Sequence, residues 1–184
     1  MFSTKRSLTI SLITVICGAY LLQMIYPTLE SHLYLFKGAA GIGGVAGGEW
    51  YRLFTVALTH GGIWHLAFNM IALHALGTPL EAVLGKARYL VIFFISLFAG
   101  SYASIYLSPG DHISVGASGA IFGLFGAFVV LNKRIGQSSR EIYTIIGLNF
   151  ALGFIFGGVD WRAHLGGLVG GFIATALISR ITRL

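Results

Sequence analysis

Four residues of this 184-residue chain have the types and the setting to do chemistry together. Ser118 sits in the glycine-flanked run Gly116-Ala117-Ser118-Gly119, His164 follows Ala163 and precedes Gly166 and Gly167, and His65 and Asn69 stand four positions apart. A serine hydroxyl is a weak nucleophile until a neighbouring base takes its proton, and histidine is the usual base. The Asn69 side-chain amide, a His65 ring N–H and the Ser118 backbone N–H can all donate to the negative charge that develops on a carbonyl oxygen under attack. The chemistry of this set is acyl transfer by a serine–histidine pair with an oxyanion site. Glu81 falls toward the far end of its segment and Asp160 in a loop, so a dyad without an orienting carboxylate is expected.

These residues are embedded in apolar segments. Hydrophobic residues make up 56% of the chain and charged ones 10%, and the mean hydropathy is +0.83. That composition excludes an ordinary soluble domain. A membrane-spanning helix needs about 20 mostly apolar residues, and such runs fall at 7–26, 61–84, 89–107, 115–132, 141–158 and 161–179. The expected fold is all-α, a six-transmembrane-helix bundle forming one domain over residues 1–184. Nine of the twelve basic residues lie at one set of ends: Lys5, Arg6, Lys86, Arg88, Lys133, Arg134, Arg140, Arg180 and Arg183. The positive-inside rule then places both termini in the cytoplasm, and the same asymmetry accounts for the net charge of +6 without any nucleic-acid partner. The first run is too long for a cleaved signal peptide. Cys17 is the single cysteine, which rules out an internal disulfide and a cysteine-rich metal site; no metal or cofactor is called for.

With this topology the second, fourth and sixth runs all start on the outer side. His65, Ser118 and His164 lie near those starts and come to similar depth in a cavity that water can reach from outside. Gly119 and Gly123, Gly166 and Gly170, and Gly167 and Gly171 are spaced by four, which makes small faces that let membrane helices approach closely. Trp50, Tyr51, Trp64, Tyr102, Tyr106 and Trp161 fall near the outer boundary as an aromatic belt. The longest loop, residues 27–60, carries many glycines and the apolar cluster Leu33-Tyr34-Leu35-Phe36, and fits an interfacial segment.

In order and spacing these motifs resemble the rhomboid family of intramembrane serine proteases. The matching residues are Gly116, Ser118 and Gly119, then Ala163, His164, Gly166 and Gly167, then His65 and Asn69, with Arg52, His60 and Glu81 at further family positions. The resemblance implies Ser118 as nucleophile, His164 as base, and His65 and Asn69 flanking the oxyanion. It also implies single-span transmembrane protein substrates cut in or near the membrane and helix-weakening residues near the cut. Membrane lipid is the surrounding partner, and a prokaryotic inner membrane with the site open to the periplasmic side is the expected location. Two departures stand out: Tyr51 precedes Arg52 where the family often has Trp, and Phe122 stands where some members have a Tyr that stacks on the catalytic histidine. Movement of the fifth span and the loop before the sixth is implied for substrate access, with Gly147, Gly153, Gly157 and Gly158 among Phe150, Phe154 and Phe156 as the gate.

The remaining polar residues read as structural: His32 and His112 as loop surface, His74 as an interhelical hydrogen bond, and His60 as a loop contact with Arg52 or an exposed residue. Two rival readings remain. A proteolytically silent relative would bind membrane proteins without cutting them, but such relatives typically lack the serine or the histidine. A membrane haem or metal protein using His65 and His164, with His60 or His74, gives no account of Ser118 or Asn69.

Overall fold

The computed structural model describes residues 7–108, 110–136 and 159–182, with 140, 143, 144, 146–148, 150 and 151 between the last two stretches. Its helices are α1 (Leu8–Ile25), α2 (Thr28–Leu33), α3 (Arg52–Thr55), α4 (Ile63–Leu84), α5 (Lys86–Leu107), α6 (Ser118–Ile135) and α7 (Trp161–Thr182). Among the described residues there is no β-strand, only the isolated bridges Leu35–Ser114 and Ala39–Gly43. Among the described residues four helices, α1, α4, α5 and α7, are long and apolar enough to cross a membrane, and the chain is an integral membrane protein. The expected fifth span, 141–158, lies largely outside the described residues, as do Gly153, Phe154, Phe156, Gly157 and Gly158 of the expected gate.

The fourth expected span differs in kind from the others. Its helix, Ser118–Ile135, begins only at the serine because residues 115–117 are not helical, and it has 18 residues, as many as α1. A helix that is apolar all round belongs in a core, and α6 meets that expectation: Ala120, Ile121, Phe122, Leu124, Phe125, Ala127, Phe128 and Leu131 are all buried. It packs on α7, α5 and α4.

Glycine decides how close these helices come. A Cβ on Gly167 would run into the Gly119 backbone of α6, and one on Gly171 into Gly123. The other pair on α7 faces a different neighbour, since Gly166 and Gly170 pack against Ala99 and Ala103 of α5. The two small faces of α7 therefore serve two helices, and Gly100 of α5 completes the crossing against Ala163 O and Gly119.

At the opposite end of α4, Glu81 caps α1. Its Oε1 accepts from Leu8 N at 2.8 Å, and its Oε2 from Thr9 N and Thr9 Oγ1 at 2.9 Å and from Ser7 Oγ at 2.7 Å. A carboxylate there satisfies helix-start amides and meets the positive end of the helix dipole. The 27–60 loop contributes Leu35, Val45, Leu53 and Val56 to the same buried core as the long helices. Buried Arg52 organises it, donating to Glu49 Oε2 at 2.7 Å, Ser31 O at 3.0 Å and Tyr34 O at 2.8 Å while its guanidinium lies 4.7 Å from the Phe36 ring centre. The hydrogen bond from Arg52, then that from the Gly44 amide, hold the Glu49 carboxyl down at about 2.

Candidate active site

Ser118 opens α6, and the residues before it explain how it is presented. Gly116 has φ +111°, a conformation costly for any residue with a Cβ, and an added Cβ would lie 2.9 Å from His65 Cε1 and 3.0 Å from its Nε2. Glycine is required twice over, for the backbone turn and for the imidazole lying against it. The Gly116 N–H donates to Val56 O at 3.0 Å, which ties this turn to the 27–60 loop.

His164, in the first turns of α7, is buried, and its Nε2 lies 2.9 Å from Ser118 Oγ. The Phe122 ring stacks on the imidazole with centroids 4.0 Å apart and planes inclined by 12°, and Phe150 meets it edge-on at 6.2 Å. His164 Nδ1 is buried and has no hydrogen-bond partner among the described residues. Among the described residues no carboxylate bonds to the ring, and its contacts are the two phenylalanines and Ser118.

His65 and Asn69 share one face of α4. The Gly61 amide donates to His65 Nδ1 at 3.4 Å, which leaves the ring proton on Nε2, the nitrogen facing Gly116. Asn69 is buried; its Nδ2 donates to His65 O at 2.9 Å, and an amide nitrogen carries a second N–H. A narrow cavity lined by Ser101, Ser114, Gly116 and Ser118 adjoins the hydroxyl.

Several sequence-based expectations need correction. His60 makes no bond to Arg52, whose donors are engaged within the loop; it is 3% exposed, and both its ring nitrogens lack partners among the described residues. Its ring stands edge-on to His65 at 5.1 Å, and burial, then the neighbouring His65, push it down to about 3, so it is neutral at ordinary pH. His74 contacts Thr78 of its own helix at 3.4 Å and, among the described residues, no other helix. His112 is not plain surface: its Nε2 is 3.1 Å from Ser104 Oγ and 3.3 Å from Asp160 Oδ2.

Asp160 itself has more partners than its loop position suggests. Its Oδ1 accepts from Ala163 N at 3.1 Å, as a helix N-cap does, and its Oδ2 accepts from Ser114 Oγ at 2.9 Å and from Ser104 Oγ. Burial pushes this carboxyl up, but the bonds from Ser104, the Ala163 amide, Ser114 and His112 outweigh it and hold the group below the usual carboxylate range. The legible signal was an Asp immediately before an apolar run, three residues ahead of Ala163.

A sequence model described as the Rhomboid domain matches residues 47–181. YdcA of Bacillus subtilis, named as a candidate rhomboid protease, is 42% identical over 139 residues, covering 73% of this chain and 70% of its own. The rhomboid protease GluP of the same organism is 43% identical over 139 residues, covering 73% of this chain but only 27% of its own length. The rhomboid protease AarA of Providencia stuartii is 32% identical over 206 aligned positions, 94% of this chain and 73% of that one.

Proposed function

The chain belongs to the rhomboid family and is a rhomboid serine protease acting within the membrane, and from that premise we propose that Ser118 is its nucleophile and His164 its general base and acid. The observation that carries the reading is the 2.9 Å contact between His164 Nε2 and Ser118 Oγ beneath a stacked phenylalanine. As Ser118 Oγ attacks a peptide carbonyl carbon, its proton passes to His164 Nε2; the same nitrogen then protonates the departing amine, and the acyl group is left on Ser118. In the second half His164 takes a proton from water, hydroxide attacks the acyl carbon, and the returned proton restores the serine. His65 Nε2–H, the free Asn69 N–H and the Ser118 backbone N–H receive the charge on the carbonyl oxygen.

Among the described residues no carboxylate is hydrogen-bonded to the imidazolium formed in each half. The face of Phe122, 4.0 Å away, offers the compensating attraction of a cation over an aromatic ring. The substrates are single-span membrane proteins cut in or near their transmembrane segment. Local unwinding exposes the bond, since a helical peptide bond is shielded by its own hydrogen bonds. The whole of residues 1–184 forms one domain, with both termini cytoplasmic by charge asymmetry and the site open to the periplasmic side of an inner membrane.

Cleavage of a model single-span substrate in liposomes tests the reading. Ser118→Ala and His164→Ala each lower turnover by at least about 1,000-fold, the scale at which serine hydrolases respond to loss of a catalytic partner. Equal product from wild type and Ser118→Ala would refute the assignment.

A further inference from the structure

Ser118 and His164 come from different helices, and a second, shorter path joins the same two strands of chain one step away. Ser114 lies four residues before Ser118, and Asp160 lies four residues before His164. The Ser114 hydroxyl donates to Asp160 Oδ2 at 2.9 Å. From these contacts we infer that Asp160 is a positioning residue that sets the Ser118–His164 separation by clasping Ser114, an inference that rests on the dyad proposed above.

Each end of this clasp is held rigidly. On the serine side, Ser114 is buried and its backbone is paired in both directions with Leu35, N to O at 2.8 Å and O from N at 3.0 Å. Two residues on, Gly116 N is bonded to Val56 O. The chain between Ser114 and Ser118 is thereby fixed before α6 begins. On the histidine side, the Asp160 carboxylate caps α7 through Ala163 N at 3.1 Å, and its carbonyl accepts from His164 N at 3.2 Å. The residue bearing the base is bonded directly to the residue that holds Ser114.

The clasp answers a mechanical problem that the dyad alone does not. With His164 Nδ1 unpartnered among the described residues, no bond from the far side of the imidazole fixes its place. Glycine contacts between α6 and α7 limit how close the helices come, but they do not stop them from separating. The Ser114–Asp160 bond resists that separation. Ser104 and His112 bond to the same carboxylate and keep it ionised and aimed, but Ser104 belongs to α5 and carries neither half of the dyad.

That difference provides the test. In the full chain in liposomes, kcat and KM are measured for Ser114→Ala, Ser104→Ala, Asp160→Ala, the Ser114→Ala/Asp160→Ala double variant and Ser118→Ala, below the lowest melting temperature of the set. The expected results are a kcat loss of about tenfold or more for Ser114→Ala with KM within about twofold, since a displacement near 1 Å can cost about 100-fold, and a loss within about threefold for Ser104→Ala, although both remove one hydroxyl bond to Asp160. Because the two residues act as one unit, the double variant is expected to be no slower than Asp160→Ala alone. Comparable kcat losses for Ser114→Ala and Ser104→Ala, a loss confined to KM, or multiplicative losses in the double variant would each overturn the clasp. Should Ser118→Ala retain full cleavage, the dyad fails and the clasp with it; an inactive Ser118→Ala beside an unimpaired Ser114→Ala sinks the clasp alone.

Discussion

Replacing Gly167 with alanine adds a single methyl group at a point where α7 crosses α6. The new Cβ would lie 2.8 Å from the Gly119 carbonyl carbon and closer still to its oxygen, where ordinary contacts begin at 3.4 Å. Both obstructing atoms are backbone, so no side chain can swing aside, and the helices must part. Overpacking of this kind costs about 1–3 kcal/mol. The larger effect falls on the chemistry: Gly119 is next to Ser118 and Gly167 is three residues beyond His164, so separating the two backbones stretches the 2.9 Å Ser118–His164 contact directly. A parting of roughly 1 Å breaks that hydrogen bond, and displacements of this size cost about 100-fold in rate. Gly167→Ala is therefore expected to lose about 100-fold in cleavage of a single-span substrate and a similar factor in labelling by a serine-reactive fluorophosphonate, while still folding as judged by thermal unfolding. Gly18→Ala is the control, since nothing lies within 4 Å of an added Cβ there and alanine favours the helix. If Gly167→Ala keeps more than half of wild-type cleavage, close contact between α6 and α7 does not position the dyad.

Two further outcomes follow from particular contacts. Phe122→Leu keeps the bulk beside His164 but removes the aromatic face 4.0 Å from it, and with a cation–aromatic attraction of about 0.5–2 kcal/mol it should lower kcat by roughly 2- to 30-fold. Steady-state kinetics of cleavage check this, and an unchanged kcat would remove the aromatic face from the mechanism. Glu49 has its folded pKa lowered from 4.5 to about 2, so its contribution to stability is fully present above 4.5 and is lost as pH falls toward 2. The gap in Tm between wild type and Glu49→Gln should be widest near neutral pH and close on acidification through that window; a gap independent of pH contradicts the assignment.

Much of this arrangement was legible because the membrane makes polar residues expensive. Serine, histidine and asparagine at helix starts stood out against their surroundings, but hydropathy puts Gly116-Ala117-Ser118-Gly119 inside the run 115–132 and does not show that the helix begins only at Ser118. The glycine spacing also announced close packing, but a spacing of four does not reveal which neighbour each face meets. Gly166 and Gly170 turned out to serve α5, since two adjacent stripes on one helix point about 100° apart. Hydropathy could not distinguish α6 from a lipid-facing span, because a helix buried among helices and one surrounded by lipid are equally apolar. The position of Asp160 before an apolar run was legible, but its partners were not: its contacts with Ser104, His112 and Ser114 join residues 46–56 positions apart and depend on loop paths that no local pattern encodes.

The enclosure of α6 has a consequence for where a bond is cut. α4, α5 and α7 run 22 residues each, about 33 Å, while α6 has 18, about 27 Å, against a hydrocarbon layer of about 30 Å. A bilayer that thickens or thins presses on the helices it wets, which can tilt to follow it. The serine rides on a helix whose neighbours, not the lipid, decide its height. Its depth is a dimension of the protein, so a substrate is measured against the enzyme's own scale and not against the thickness of the membrane that holds them both.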